Sequence, residues 1–362
     1  MENTEFQRLP AEELFQKEID ALIAAEKEPI PTGWKMSPRS VLKYITGGEV
    51  NGIEITPKYI GNDRLVEIAI ATLVTDRALL LIGEPGTAKS WLSEHLAAAI
   101  NGDSTKVIQG TAGTTEEHIR YSWNYAMLIA KGPSKEAMLK SPIYRAMETG
   151  TIARLEEISR CASEVQDALI SILSEKRLSV PELAFELPAK KGFSIIATAN
   201  TRDKGVNEMS AALKRRFNIV VLPSPANIQT EIDIVRSRVS QLSNSLELRA
   251  EMPNDELIEN VITIFRELRN GKTLDNTQKL KTTTGVLSTA EAISLLANSM
   301  ALAASFGNGK IVDYDIAAAL QGAIVKDEEK DKIAWKEYLE NVMKKRGERY
   351  RTLYKECKEL NR

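Results

Sequence analysis

The stretch LLLIGEPGTAKS, Leu79 to Ser90, constrains the fold more than any other part of the chain. An apolar run ends at Gly83. Glu84, Pro85, Gly86, Thr87, Ala88, Lys89 and Ser90 follow, and Trp91 opens the helical pattern WLSEHLAAAI. This is the layout of a phosphate-binding loop between a strand and a helix. Backbone N–H groups of the loop and the positive end of the helix cradle a phosphate chain. Lys89 reaches the terminal phosphates in that layout, and Ser90 ligates Mg²⁺. Ala88 stands where the usual pattern has its last glycine. A methyl group there still lets the loop close if φ at Ala88 is negative.

The 362 residues suffice for two or three domains with a real core. The formal net charge of −2 provides no global field for nucleic acid or an anionic membrane. No apolar run reaches the length of a membrane span. The opening MENTEFQRLPAEEL is polar and acidic, unlike a signal or transit peptide. Cys161, Cys357, His95 and His118 have no disulfide or metal-ligand spacing and read as structural. A reducing cytoplasm is expected.

Residues 1 to about 28 read as one acidic amphipathic helix, with Leu14, Phe15, Ile19, Leu22 and Ile23 at helical spacing. EPIPTGW breaks it, and Ser37-Pro38 opens a short helix that Gly47-Gly48 ends. An α/β rhythm follows. NDRLVEIAIATLVTD is a helix, and ALLLIG, STKVIQG, TIARLEEI, GFSIIATAN and NIVVLP are five strands. KRLSVPELAFELPAKKG reads as a hairpin with a proline-marked turn. Strands alternating with helices imply a parallel sheet with helices on both faces. Beyond Pro225 only helical patterns occur, ending in one long charged helix from about Asp331 to Lys358. The expected organisation is a helical extension over 1–55, an α/β core over 56–225 and an all-α lid with a C-terminal helix over 226–362.

A phosphate loop needs a carboxylate to order the metal and a group to activate water. TIARLEEI ends in two adjacent acids, Glu156 and Glu157, at the carboxyl end of a strand, where ligands sit in open α/β sheets. The first acid of such a pair is usually Asp and orders Mg²⁺; Glu156 is one methylene longer, and Mg²⁺ tolerates little distortion. The second, Glu157, is placed to act as base. Arg154 is unusual in an otherwise apolar central strand. Asn200, ending SIIATAN, is placed to hold the attacking water. Arg215 and Arg216 in LKRRF are placed to stabilise charge on a neighbour's terminal phosphate, with Arg216 preferred.

GEPGTAKS, LEEISR, IIATAN and LKRRF, in this order, resemble the AAA+ ATPases of the MoxR group, and the lead-in GWKMSPRSVLKYITGG with the EE pair resembles its YehL-like branch. The resemblance implies an AAA+ core with a helical lid, ATP and Mg²⁺ as ligands, and a cytoplasmic hexameric ring that remodels a partner protein. That partner would commonly carry a von Willebrand A domain. SWNYAMLIAKGPSKEAMLKSPIYRAMETG matches the helix-2 insert of the group, and KRLSVPELAFELPAKKG the hairpin before the sensor strand. Carried over by position, Lys89 and Ser90 belong to the phosphate loop. Glu156 and Glu157 form the acid pair, Asn200 is the first sensor and Arg216 the arginine finger. Apart from these matches, Gly61 in YIGNDRL, just before the core, is expected to begin the adenine pocket. The arginine that the group often places at the start of a lid helix falls at Thr289, so that contact is either missing or supplied elsewhere. Two other readings share these residues: a slow or inactive ATPase acting as a nucleotide-gated switch, and, with no support from charge, a nucleic-acid motor.

Overall fold

A computed structural model describes residues 7–200 and 209–360. The chain forms two compact units, residues 1–84 with 88–223, and residues 85–87 with 224–362.

The first unit is built on a five-stranded sheet. Its strands are β1 (Ala78–Gly83), β2 (Val107–Gln109), β3 (Ile152–Glu156), β4 (Ser194–Asn200) and β5 (Phe217–Leu222), in the order β5-β1-β4-β3-β2. Every pairing is parallel. Ile152, Ala153 and Leu155 of β3 and Ile195, Ile196 and Ala197 of β4 are all buried, as expected of strands covered on both faces. One apolar cluster, including Leu79, Leu81, Leu92, Leu96 and Ile196, fills one face. A second, including Leu80, Leu155, Leu169, Ile195 and Phe217, fills the other. The register sets the functional edge: Gly83 of β1 pairs with Asn200 on one side and Leu222 on the other.

The amino-terminal segment departs from the expected single helix. Ala11–Leu14 and α1 (Gln16–Ala24) are separated at Phe15, whose ring turns towards Tyr44 and His95. Polar groups tie this segment to the core. Glu12 accepts from the Ser104 amide at 3.0 Å, and Arg8 pairs with Glu94 at 2.5 Å. Lys58 donates to Glu18 and lies between the rings of Phe15 and Tyr44, 4.1 and 4.3 Å from their centroids. A fully buried ammonium is tolerable only with a carboxylate and aromatic faces around it. Residues 8–24 therefore dock on the first unit.

Next come α2 (Pro38–Thr46), capped by Ser37, and a two-stranded hairpin of Gly48–Val50 with Ile53–Ile55. Its turn is Asn51-Gly52, both with positive φ (51° and 78°). α3 (Asp63–Val74) leads into β1, and α4 (Lys89–Asn101) leaves it. The insert between β2 and β3 contains a second hairpin, Tyr121–Trp123 with Met138–Lys140. The expected proline-marked hairpin pairs Arg177–Val180 with Phe185–Pro188. It follows α5 (Ser163–Glu175).

The second unit is helical: α6 (Ile228–Ser245), α7 (Asp255–Asn270), α8 (Thr289–Phe306), α9 (Asp313–Ile324), α10 (Lys330–Asn341) and α11 (Glu348–Leu360). The long terminal helix expected from the sequence is broken. A 3₁₀ turn at Met343–Lys345 and Gly347, at φ 76°, separate α10 from α11. The break lets Tyr350, Leu353 and Cys357 of α11 join the same core as Trp335 and Tyr338 of α10. Glu267 is fully buried beneath them. It accepts from the Tyr338 hydroxyl at 2.7 Å, from the Leu274 amide at 2.8 Å and from Arg346. Cys161 and Cys357 are buried and form no disulfide; burial raises both thiols, Cys357 to about 12, so both stay neutral. Among the described residues no helix is long and apolar enough to cross a membrane.

Candidate active site

The carboxyl ends of β1, β3 and β4 converge in the first unit. Lys89 opens α4 and is buried; its Nζ donates to the carbonyls of Gly83 at 3.1 Å and Glu84 at 2.8 Å. The ammonium thus lies along the loop. Ala88 corrects the expectation of a negative φ: it sits at φ 63°, ψ 23°, in the left-handed region. A glycine-type conformation is imposed at the loop-to-helix junction, and alanine accepts it at a cost of about 1 kcal/mol. Ala88→Gly is expected to raise unfolding stability by about 0.5–1 kcal/mol in urea titrations. A lower stability would show that the methyl contact outweighs the strain.

The Ser90 hydroxyl donates to Glu156 Oε2 at 2.6 Å. Glu156 ends β3 and is 3% exposed. Thr198, two residues before Asn200 on β4, donates to the same oxygen at 2.7 Å and accepts from the Glu157 amide at 3.0 Å. Ser93, one turn along α4, donates to Oε1 at 2.5 Å. Arg154 is buried within the first unit rather than at a surface, and its Nη2 donates to Oε1 at 2.9 Å. The set available to a cation at this spot, a hydroxyl and a carboxylate, is all hard oxygen. That is the donor chemistry Mg²⁺ prefers.

Glu157 follows the strand in a left-handed conformation, φ 54°, ψ 46°. The bend carries its side chain off the line of β3 and leaves it partly exposed. Arg160 pairs with it, Nε to Oε2 at 2.5 Å, across the 3₁₀ turn Ile158–Arg160. Gly110, at the end of β2, lets the backbones close. A Cβ there would stand 2.5 Å from the Glu157 carbonyl oxygen. Asn200 ends β4 opposite Gly83. Sequence reasoning missed Ser93, Thr198 and Gly110. The signals were a second hydroxyl three residues after Ser90 and the period-two spacing of Thr198 and Asn200.

Other candidates lie as follows. Arg216 donates from Nε to Ser174 Oγ at 2.6 Å and from Nη1 to the Ala212 carbonyl at 2.5 Å. Arg215 is exposed, and its carbonyl accepts from Arg77. Trp91 packs on His95, ring centroids 4.2 Å apart. Gly61 precedes α3 against the Tyr59 ring, where a Cβ would meet the phenol oxygen at 2.8 Å. Pro85, Gly86 and Thr87 group with the second unit, and Gly86 has φ 81°. In that unit Thr289 is buried and donates to Glu231 Oε1 at 2.8 Å. Arginines near the start of α8 come from α7 instead: Arg266 and Arg269 both pair with Glu231.

Residues 78–217 match the family described as AAA domain (dynein-related subfamily), and residues 229–362 match the YehL-like AAA+ ATPase C-terminal domain. The protein YehL of Escherichia coli (strain K12) is 42% identical over 94% of this chain and 93% of its own. The chain belongs to the YehL-like AAA+ ATPases. A protein of Staphylococcus haemolyticus (strain JCSC1435) is 25% identical over 59% of this chain and 77% of its own. Among solved structures, NtrX from Brucella abortus in complex with ADP matches with a TM-score of 0.49 and 12% identity, covering 82% of this chain and 62% of that one. The AAA+ fold of this YehL-like chain, a parallel α/β sheet followed by a helical domain, agrees with the expectation from the sequence.

Proposed function

We propose that this YehL-like protein hydrolyses ATP with Mg²⁺, assembles as a cytoplasmic hexameric ring and remodels a partner protein, one carrying a von Willebrand A domain. The observation that carries the hydrolytic reading is the Ser90–Glu156 hydrogen bond at 2.6 Å beside Lys89, with Glu157 next along the chain. Lys89 and the loop amides bind phosphate oxygens. Ser90 and Glu156 hold Mg²⁺, which supplies charge neutralisation when bound. Glu157 takes a proton from water, and the Asn200 amide orients that water. Arg216 or its neighbour Arg215 acts across a subunit boundary. For Arg216 this requires release from Ser174 and Ala212.

Arg216→Ala is expected to reduce turnover about 10³-fold while nucleotide affinity stays near that of the parent. Mixing Arg216→Ala with Glu157→Gln subunits should restore part of the activity, since some interfaces then combine an intact Glu157 with an intact Arg216. Turnover that is unchanged in Arg216→Ala but lost in Arg215→Ala moves the finger to Arg215. Mixtures no more active than their components reject action in trans. Solution mass with and without ATP and Mg²⁺ tests the ring.

A second reading is favoured by the Glu157–Arg160 pair, which engages the proposed base within its own subunit. In that reading the protein is a slow nucleotide-gated switch. Binding and assembly with negligible turnover would support it and direct the search to an activating partner.

A further inference from the structure

Arg154 stands out because it occupies an interior strand of the sheet, between β4 and β2, and is only 7% exposed. A guanidinium there costs several kcal/mol unless its donors are satisfied and its charge is paired. Both conditions are met by groups of the proposed active site. Nε donates to Ser93 Oγ at 3.0 Å and Nη1 to the Ser104 carbonyl at 3.0 Å. Nη2 donates to the Ser90 carbonyl at 3.1 Å and to Glu156 Oε1 at 2.9 Å. The period of a strand puts Arg154 and Glu156 on the same face.

The carboxylate is thereby divided. Ser93 and Arg154 hold Oε1, while Ser90 and Thr198 hold Oε2. Ser90 is fixed twice, by its carbonyl through Arg154 and by its hydroxyl through Glu156. Aspartate at this position would be shorter by one C–C bond, about 1.5 Å, and could not satisfy both groups of donors together.

We infer that Arg154, with Ser93, is a positioning residue for Glu156. It draws Oε1 aside, leaving Oε2 and the Ser90 hydroxyl as the pair that would hold the metal. The glutamate is matched to the arginine; it is not a defective aspartate. This rests on the reading of Ser90 and Glu156 as the metal side of a nucleotide site.

The test uses the full chain and two measurements, thermal unfolding without ligands and Mg²⁺ titration of the affinity for a fluorescent ADP analogue. Glu156→Asp is expected to lower the unfolding midpoint by about 5–10 °C, because Arg154 loses its carboxylate. It should raise the Mg²⁺ half-saturation about tenfold while metal-free ADP affinity stays within about twofold. Glu156→Asp combined with Arg154→Met should recover more than half of the lost midpoint, since the stranded cation is gone. Arg154→Met alone should shift the Mg²⁺ response in the same sense as Glu156→Asp. If Arg154→Met does not fold, Ser93→Ala supplies the readout, with a shift of about threefold expected.

A Mg²⁺ response unchanged in folded Arg154→Met, or in Ser93→Ala where that is used, overturns the positioning role alone. So does a Glu156→Asp protein that melts and responds to Mg²⁺ like the parent. Failure of the parent to bind the ADP analogue with Mg²⁺ overturns the nucleotide-site reading and the positioning role with it. A surviving coupling between positions 154 and 156 in the melts would then show a purely structural pair.

Discussion

Glu157→Gln is expected to leave nucleotide binding within about twofold of the parent and to lower ATP turnover by at least about 10²-fold. The change replaces a proton acceptor by an amide of the same shape. Among the described residues the Glu157 side chain pairs with Arg160, and the pair is partly open to solvent. Such pairs contribute little to stability, so the melting behaviour should hardly move. The backbone contact that fixes the residue, its amide on Thr198 Oγ1 at 3.0 Å, does not involve the side chain. A fall in turnover without a fall in binding therefore isolates the chemical step. Single-turnover hydrolysis and equilibrium binding of the same preparation make the measurement. Unchanged turnover would remove Glu157 from the mechanism and leave the switch reading ahead.

The parts of this site that were legible in the sequence are those where a residue type and a local conformation coincide. Gly83, Lys89 and Ser90 straddle a strand end and a helix start. The pair Glu156-Glu157 and Asn200 end strands whose apolar runs are plain. What supports them was harder to see, because the partners come from different strands and helices: Ser93 and Thr198 around one carboxylate, and Arg154 beside it. Arg154 is out of place among the apolar residues of β3 until its contact with Glu156, two residues on along the same face, accounts for it. The sign of φ at Ala88 was not readable, since alanine alone favours negative φ and the loop overrides it. Gly47-Gly48 ends the helix as the sequence indicates, and the Asn51-Gly52 turn signal just beyond it marks the hairpin that follows. The terminal helix was overestimated because charged, apolar-spaced residues flank Gly347 on both sides. A single glycine inside a periodic pattern is ambiguous until packing decides it.

Glu231→Ala is expected to destabilise the helical unit by about 3–5 kcal/mol. Glu231, on α6, is 1% exposed. It accepts from Arg266 Nε at 2.6 Å, Arg269 Nη2 at 3.1 Å and Thr289 Oγ1 at 2.8 Å. The two arginines are also anchored to carbonyls, Arg266 to Pro225 and Arg269 to Leu287, at 2.6 and 3.0 Å. They cannot swing out to water without breaking those bonds, so removing the carboxylate leaves two mostly buried cations side by side. Thr289→Val, which deletes one hydroxyl donor and keeps the shape, should cost only about 1 kcal/mol. The contrast matters because the resemblance to the MoxR group implies an arginine near the start of α8, where this chain has Thr289. Installing that arginine, Thr289→Arg, would add a third cation to the cluster and should destabilise more than Thr289→Val does. Urea unfolding of the full chain, followed by a probe on the helical unit, measures all three. Equal small losses in Glu231→Ala and Thr289→Val would mean that the arginines find other partners. A large loss confined to Glu231→Ala and Thr289→Arg would explain the threonine: the charge at the start of α8 is already supplied by α7 and balanced from α6.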